Sequence, residues 1–427
     1  MLVWLLSVLS SAPAATPGLA KSVDIPCEAG AYGSPDGRTL ALTQSGSSFE
    51  YTHLDGRIGV LSHPKTRVHC AAGGVNVTLP NDTVEFWPRI PLRLTRTTFV
   101  SDGARLAGLL VERTDASTST PLVVSVQGSG DEPYTSALWH MQFTLSAQGV
   151  STFVYDKRGT GESEGLFTMN FQQLARDASA AAVEAKRLTH GRHGRFGFYG
   201  FSQAGWVIPL AAKQVPTDFI AIGYGMAYTP IEEDAEEVAL ELRAKGFDDS
   251  AIAVARRLTA ATAVVIGSGY RRGIDTLATL KRQYSGEPWY KHIRGEFSGR
   301  ILRATPAELR GRAKSPNDLG LPWHHDAMAV LRTLTVPQLW ALAEQDRVTP
   351  SLLTRDRLKK LQSEGLPIDI AMFPNTDHGI REFIQHPDGS RTHTRYADGY
   401  FRLLVDWIKG SVSPPYGKAT YLPRPKN

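Results

Sequence analysis

The sequence has few of the features that mark specialised classes of protein. Only two of its 427 residues are cysteines, Cys27 and Cys70, and they do not form a CxxC pair. This scarcity excludes a disulfide-rich scaffold, and the wide spacing argues against a zinc or dithiol redox site. In an oxidising compartment, the two thiols are expected to form one disulfide in the N-terminal region.

Charge of one sign and long apolar runs are scarce as well. The formal net charge is +5, and the basic residues are scattered along the chain. We therefore predict that the protein does not bind nucleic acid. Beyond the N-terminus, we identify no apolar run that predicts a stable membrane span. A hydrophobic content of 42% with 21% charged residues is typical of a folded globular protein.

The N-terminal segment has the pattern of an export signal. A short apolar run, residues 2–9, is followed by small residues that include Ala12 and Ala14. The run is too short to span a bilayer, so the pattern predicts a cleaved signal peptide over 1–15. The protein is then expected to be exported, as a periplasmic or secreted protein.

The rest of the chain contains three successive patterns of apolar and polar residues. Short apolar segments that alternate with turn residues predict a β-rich domain. Apolar strands such as 368–373 then alternate with amphipathic helices such as 171–188, which predicts a mostly parallel sheet flanked by helices. A stretch of helical periodicity, here called the helical insertion, interrupts that alternation. The predicted units are the signal peptide 1–15, the β-rich domain 22–94, the α/β domain 95–226 with 331–412, the helical insertion 227–330 and a loose tail 413–427.

The strongest chemical signal is the segment GFSQAG, residues 200–205, between a predicted strand and a predicted helix. A serine nucleophile needs a sharp strand-to-helix turn, with small residues two positions before and after it. Gly200 and Ala204 occupy these positions around Ser202. The alternative for Ser202 is a serine that only caps the helix.

A glycine-rich loop, 127–131, follows an earlier buried strand. Such a loop directs a backbone N–H group at the oxyanion of a tetrahedral intermediate, and the residue after the nucleophile supplies the second donor. The predicted donors are the amides of Ser129 and Gln203. The later turn DKRGTGES, 156–163, does not complete a nucleotide-binding pattern, so Asp156 and Arg158 are predicted to brace neighbouring loops.

A serine is unreactive until a base removes its proton, and a carboxylate must orient that base. His378 and Asp346 each follow a predicted strand, in the chain order serine, acid, histidine. His378 is the predicted base and Asp346 the predicted acid, while Glu344 and Asp377 remain alternative acids. The His and Asp pairs elsewhere contain too few ligands for a metal site, so we expect no metal and no cofactor.

Four segments, taken in their order along the chain, resemble the α/β-hydrolase superfamily. They are the turn at 156–163, the strand-to-helix turn at 200–205, the AEQD loop at 343–346 and the NTDHG loop at 375–379. The resemblance is closest to exported bacterial acyl hydrolases related to dienelactone hydrolases and to the prolyl oligopeptidase catalytic domain. It implies an α/β-hydrolase fold, hydrolysis of an ester or amide through an acyl-enzyme without a metal, and a helical insertion that caps the active site.

The expected reaction is therefore cleavage of a carboxylic ester by a serine hydrolase, with a small-molecule acyl substrate whose acyl group is small or medium-sized. A peptidase of the prolyl oligopeptidase type is the second hypothesis, although residues 22–94 are too few for the propeller of those enzymes. A non-catalytic protein that binds ligands on the same fold is the alternative from another class. Nothing in the sequence predicts the oligomeric state.

Overall fold

A computed structural model describes residues 26–136, 138–313 and 319–425. The predicted signal peptide, 1–15, lies outside the described residues. The described chain forms a large mixed sheet flanked by helices, two small N-terminal sheets, a group of helices between two strands of the large sheet, and a short C-terminal hairpin sheet.

The N-terminal region is β-rich, as predicted, and consists of two antiparallel sheets. Their strands are β1 (Gly30–Gly33), β2 (Thr39–Ser45), β3 (Ser48–His53) and β4 (Ile58–Val60), then β5 (Val68–Ala71), β6 (Gly74–Thr78) and β7 (Val84–Pro88). Leu42, Val75 and Trp87 form a small shared core. The predicted disulfide between Cys27 and Cys70 is present and ties the chain before β1 to β5.

The central sheet has nine strands in the order β19-β15-β14-β13-β12-β10-β11-β9-β8. The strands are β8 (Leu92–Ser101), β9 (Ala104–Arg113), β10 (Leu122–Val126), β11 (Ser151–Tyr155), β12 (Phe196–Phe201), β13 (Phe219–Gly223), β14 (Gln338–Ala343), β15 (Ile368–Phe373) and β19 (Thr420–Leu422). Strands β10 to β15 pair in parallel, and β8, β9 and β19 add antiparallel edges. The sheet is therefore mostly parallel, as predicted.

Helices cover both faces of this sheet. Along β10, Val124 packs into the cluster on one face and Val123 into the cluster on the other, because successive side chains of a strand point to opposite faces. Both faces are buried, which explains the nearly continuous apolar strands of the sequence. The helices are α2 (Phe171–Leu188), α3 (Ala204–Ala211), α9 (Ala327–Leu331) and α10 (Ser351–Ser363) on one face, and α1 (His140–Ala147) and α11 (Tyr400–Lys409) on the other.

The helical insertion has an apolar core of its own, separate from the cores of the sheet. Thr229 and Glu232 form a reciprocal capping box that begins its first helix. The helices are α4 (Pro230–Ala244), α5 (Asp249–Gly267), α6 (Ile274–Tyr284), α7 (Ser298–Arg303) and α8 (Pro306–Arg312), with a 3-10 turn at Tyr290–His292.

Helix α5 is long and apolar enough to cross a membrane, judged by length and composition alone. The sequence analysis did not single it out. Half of its apolar window is buried inside the protein, where Leu258 and Val265 belong to the core of the helical insertion. A buried core helix meets the same criterion, so the absence of a membrane span stays a prediction.

The predicted loose tail, 413–427, is corrected by the structure. Strand β19 pairs antiparallel with β15, where Tyr421 lies opposite Ala371. The amide of Arg424 also donates a 2.7 Å hydrogen bond to the carboxylate of Asp369. The exposed backbone groups of an edge strand can pair with a further strand. Three residues of the proline-rich tail pair with β15 in this way.

A three-stranded sheet that the sequence analysis did not predict follows His378. Its strands are β16 (Thr376–Asp377), β17 (Arg381–Gln385) and β18 (Arg391–Tyr396). The end of β18 is held by the N-terminal region, because the Tyr396 amide donates a 3.0 Å hydrogen bond to the Gly56 carbonyl oxygen. Strands β17 and β18 together are called the hairpin.

Candidate active site

Ser202 lies in the sharp turn that joins β12 to α3. Its φ of 55° is in the left-handed region, which non-glycine residues rarely adopt. The turn is crowded: a Cβ on Gly200 would lie 2.5 Å from the Val126 carbonyl oxygen, and one on Gly205 would lie 2.7 Å from the Met226 nitrogen. Glycine is therefore required at both positions, and the strained serine is presented at the end of the strand, as the nucleophile-elbow pattern predicts.

The structure brings His378 and Asp346 together from the loops after β15 and β14. The His378 Nδ1 atom lies 2.9 Å from the Asp346 Oδ2 atom. These loops meet because β14 and β15 are adjacent and parallel, so that both end at the same edge of the sheet.

The Asp346 carboxylate is buried and fully supplied with donors. The amides of Val348 and Thr349 donate to its Oδ1 atom at 2.9 and 2.8 Å, and the Thr349 hydroxyl lies 2.7 Å from Oδ2. Charge-assisted hydrogen bonds from backbone amides stabilise an ionised carboxylate. Asp346 is thus held rigidly in the orientation that reaches the imidazole.

The two alternative acids have other partners. Glu344 is exposed and accepts a 3.2 Å hydrogen bond from the Asn375 amide. Asp377 forms a 2.9 Å ion pair with Arg391. Burial raises the pKa of Asp377, but hydrogen bonds from Arg391 and from the His378 amide outweigh that effect and lower it. Among the described residues, only Asp346 has a carboxylate that is hydrogen-bonded to the His378 ring.

The environment of His378 favours the protonated ring. Burial lowers the pKa of His378, but the charge of Asp346 and its hydrogen bond act in the opposite direction and raise the pKa above its ordinary value. The Tyr224 ring packs edge-on against the imidazole, with 4.8 Å between ring centroids. The imidazole is therefore fixed in position and stabilised as a cation, which a general base requires when it accepts a proton.

Ser202 and His378 line the same cleft, which has a volume of about 340 Å³. No hydrogen bond joins the two side chains within the described part of the chain. Phe201 of β12 and Tyr224 after β13 also line the cleft. The other walls come from the loop after β10 and from the start and end of the hairpin, and they include Ser129, Glu132, Tyr134, Trp139, Arg381 and Tyr396.

No lining residue belongs to the described part of the helical insertion. Helix α4 borders a second cavity of about 360 Å³ instead, beside the loop that carries Asp346. The implied role of the insertion as a cap is therefore not seen in the lining of the cleft and stays a prediction. Within the described residues, the hairpin takes the position at the cleft that the sequence analysis expected of the insertion.

The predicted oxyanion donors lie near Ser202. Ser129 lines the cleft, while Gln203 is buried directly after Ser202. Among the hydrogen bonds of the described residues, none is donated by the backbone amide of Ser129 or of Gln203. Both amides are therefore available to a ligand, and the loop of Ser129 is held from behind by Lys157, whose ammonium group donates to the Gly128 and Gly130 carbonyl oxygens.

The turn at 156–163 braces its neighbours, as predicted. Asp156 accepts hydrogen bonds from the amides of Tyr134 and Thr135 at 2.7 and 2.8 Å, which shapes the loop beside the cleft. Arg158 forms a buried ion pair with Asp177 of α2 at 2.6 Å. The sequence analysis did not identify Lys157, although its position between these two residues places it in the same turn.

Sequence reasoning also missed Tyr134, Trp139, Arg381 and Tyr396. The one local signal was an arginine three residues after His378. The aromatic residues reach the cleft through long-range packing, which no local pattern reports. Among the described residues, no three His, Cys, Asp or Glu side chains are grouped as metal ligands.

Residues 102–234 match the model of the S15 peptidase family, described as X-Pro dipeptidyl-peptidases. The match covers less than a third of the chain. It includes Ser202, the loop of Ser129 and the turn at 156–163, and it ends before Asp346 and His378. No curated protein matches the sequence.

Several solved structures are similar at low identity. An esterase of Pyrococcus furiosus is 10% identical, with 67% of this chain and 84% of that chain covered and a TM-score of 0.41. The acylaminoacyl peptidase of Pyrococcus horikoshii is 12% identical, with 82% and 51% covered and a TM-score of 0.42. A bacterial brefeldin A esterase is 17% identical, with 70% and 72% covered and a TM-score of 0.41.

Three observations indicate the same superfamily. They are the order of strands in the sheet, the strained serine between β12 and α3, and the family match over that same segment. The chain is a hydrolase of the α/β-hydrolase superfamily.

Proposed function

We propose that the protein is a serine hydrolase that cleaves a carboxylic ester through an acyl-enzyme intermediate. Ser202 is the nucleophile, His378 the general base and Asp346 the acid that orients it. The observation that carries this proposal is the 2.9 Å contact between His378 Nδ1 and Asp346 Oδ2, made beside a cleft that His378 shares with the strained Ser202.

The proposed chemistry follows from these positions. Asp346 accepts a hydrogen bond from Nδ1, so the neutral ring keeps its proton there and offers Nε2 as the base. Nε2 takes the hydroxyl proton of Ser202 while the serine oxygen attacks the carbonyl carbon. The oxygen of the tetrahedral intermediate accepts hydrogen bonds from the Ser129 and Gln203 amides.

Collapse of the intermediate breaks the bond to the leaving alcohol, which receives the proton from Nε2 and leaves an acyl group on Ser202. Water then attacks the acyl group in the same way, with His378 as base, and releases the carboxylic acid. The proposed cycle returns every proton and uses no metal or cofactor.

A small acyl substrate agrees with the size of the cleft, since about 340 Å³ is at the lower end of ligand-binding pockets. A peptidase of the prolyl oligopeptidase type is the second candidate, and the match to a peptidase family over 102–234 favours it. We also propose that the protein is exported, which the Cys27–Cys70 disulfide supports because disulfides persist in oxidising compartments.

The test compares the purified protein with Ser202→Ala on p-nitrophenyl esters of increasing chain length and, in parallel, on an Xaa-Pro p-nitroanilide. Ser285→Ala, which changes an exposed serine of the helical insertion, is the matched control. We expect ester hydrolysis that Ser202→Ala abolishes and Ser285→Ala retains.

Each other outcome has a distinct meaning. Cleavage of the anilide alone favours the peptidase. A protein that is inactive on both substrates and does not react with a fluorophosphonate is a binding protein. Activity that survives in Ser202→Ala rejects Ser202 as the nucleophile.

A further inference from the structure

Arg381 is the first residue of β17 and lines the cleft together with Ser202 and His378. Its side chain runs past Gly379: a Cβ built on Gly379 would lie 3.4 and 3.5 Å from the Arg381 Cγ and Cδ atoms. Gly379 also has a φ of 82°, a conformation that side chains disfavour. The glycine after His378 therefore leaves a path for the arginine at the cleft.

Within the described part of the chain, the Arg381 guanidinium is not paired with an anion. No Asp or Glu in the described residues forms an ion pair with it, and its Nε atom is buried without a hydrogen-bond partner. Its guanidinium carbon lies 5.2 Å from the centroid of the Tyr396 ring. Its positive charge also acts on His140 and adds to the effect of burial, which lowers the pKa of that histidine. Other arginines of the hairpin are satisfied: Arg391 pairs with Asp377, and Arg395 donates to the Asp55 carbonyl oxygen.

Tyr396 is a rigid platform for this cation. The Tyr396 hydroxyl lies 2.9 Å from the His140 Nε2 atom, and its ring packs against Phe401 with 5.0 Å between centroids. A guanidinium that stacks on a fixed aromatic ring keeps its donor edge oriented and loses little further freedom on binding a ligand. The Arg381–Tyr396 pair is therefore preorganised.

Glu132, a carboxylate that also lines the cleft, interacts with Lys157. Glu132 lies against Gly130, and its charge acts on the nearby ammonium group of Lys157. Burial lowers the pKa of Lys157 to about 8, and the charges of Glu132 and Asp131 oppose that shift. The charge of Glu132 thus acts on Lys157, and among the described residues no carboxylate at the cleft forms an ion pair with Arg381.

We propose that Arg381 binds a carboxylate group of the substrate, so that the enzyme prefers esters that carry a carboxylate near the scissile bond. The inference rests on the proposed function of Ser202 and names the substrate class of that site. A planar guanidinium matches a carboxylate in a bidentate geometry, and such charge-assisted bonds are strong where water is partly excluded. Arg381 would act in specificity, not in the bond-breaking step.

The test uses ester pairs that differ only in charge. On the acyl side, 4-nitrophenyl hemiglutarate is compared with its methyl ester. On the leaving-group side, 4-carboxyphenyl butyrate is compared with its methyl ester. The variants are Arg381→Met, which keeps an unbranched apolar stem without the charge, and Arg381→Lys, which keeps the charge. Arg332→Gln is the control, because it removes an exposed arginine that pairs with Glu364 outside the cleft.

We expect the native protein to prefer one charged ester over its neutral partner by roughly tenfold to a hundredfold in kcat/KM, the usual range for a hydrogen bond to a charged group. Arg381→Met should lose this preference mainly through KM, Arg381→Lys should keep part of it, and Arg332→Gln should keep all of it. No preference in the native protein, or a preference that survives in Arg381→Met, overturns the inference.

Failure of the proposed function is distinguishable from failure of this inference. If neutral esters are hydrolysed without a charge preference, only the role of Arg381 is wrong. If no ester is hydrolysed, calorimetric titration with glutarate, and with uncharged glutaramide as control, tests Arg381 directly. Glutarate binding that is lost in Arg381→Met supports the carboxylate site, and absence of binding to the native protein overturns it.

Discussion

The ammonium group of Lys157 donates a 2.9 Å hydrogen bond to the carbonyl oxygen of Gly130 and a second hydrogen bond to that of Gly128. The Gly128 carbonyl and the Ser129 N–H group belong to one planar peptide unit and point in opposite directions. A lysine that holds this carbonyl from behind therefore orients the Ser129 amide. Lys157 is a positioning residue for the proposed oxyanion site.

We predict that Lys157→Met lowers kcat by about ten- to a hundredfold and changes KM little, because loss of one oxyanion donor costs up to about 10³-fold in kcat. Initial-rate kinetics on a p-nitrophenyl ester measure both parameters. Lys359→Met, on the exposed side of α10, is the matched control. An unchanged kcat, or a loss confined to KM, would show that Lys157 does not position the donor.

In the proposed mechanism, the raised pKa of His378 sets the acidic limit of activity. The base must be neutral to accept the serine proton, so kcat/KM should fall as the pH falls through a midpoint above about 6.5. Asp346→Asn removes the negative charge that raises this pKa and weakens the hydrogen bond to Nδ1, so the limb should shift to lower pH. On the precedent of the serine proteases, kcat should also fall by about 10⁴-fold. A pH–rate profile measures both effects.

Glu344→Gln is the control for this experiment, because Glu344 is exposed and has no described bond to the His378 ring. Its acidic limb should coincide with that of the native protein. An acidic limb that stays in place in Asp346→Asn and moves in Glu344→Gln would transfer the role of the acid to Glu344.

The ion pair between Arg158 and Asp177 is a stability element of the domain. Arg158 contacts both oxygens of Asp177, at 2.6 and 2.7 Å, and the Asp177 side chain is fully buried. We expect Arg158→Met to lower the free energy of unfolding by about 3–5 kcal/mol, because it leaves an uncompensated buried charge. Urea unfolding followed by circular dichroism gives the value.

The double variant Arg158→Met with Asp177→Leu separates charge from packing. It should recover most of the stability lost in the single variant, since an apolar pair of similar size replaces a buried ion pair at little cost. A single variant that loses less than about 1 kcal/mol would place this pair among the weak surface interactions.

The Cys27–Cys70 disulfide closes a loop with a sequence separation of 43 residues. Chain-entropy arguments predict that its removal in Cys27→Ser/Cys70→Ser lowers the free energy of unfolding by about 4 kcal/mol. Dithiothreitol should destabilise the native protein to a similar degree and should leave the double variant unchanged. Thermal unfolding that is insensitive to reductant in both proteins would contradict this prediction.

Local signals in the sequence identified much of the framework. Helix α2 and strand β15 have the predicted bounds, 171–188 and 368–373, since apolar periodicity and an asparagine cap act within a few residues. The turn at Ser202 was predictable for the same reason, because its crowding demands small neighbours at set positions. The tail at 413–427 was not, because edge-strand pairing joins residues about 50 positions apart.

The sequence by itself determined the alternation of strands and helices, the strained serine and a histidine with three possible acids. Only the tertiary structure shows that Asp346 is hydrogen-bonded to the imidazole, while Glu344 and Asp377 are held by other partners. Only the tertiary structure also placed Arg381 and Tyr396 at the cleft. The reason is physical: periodicity and turn chemistry are local, whereas the walls of a cleft are built from segments far apart in the chain, and their contacts arise only when the sheet and the hairpin pack together.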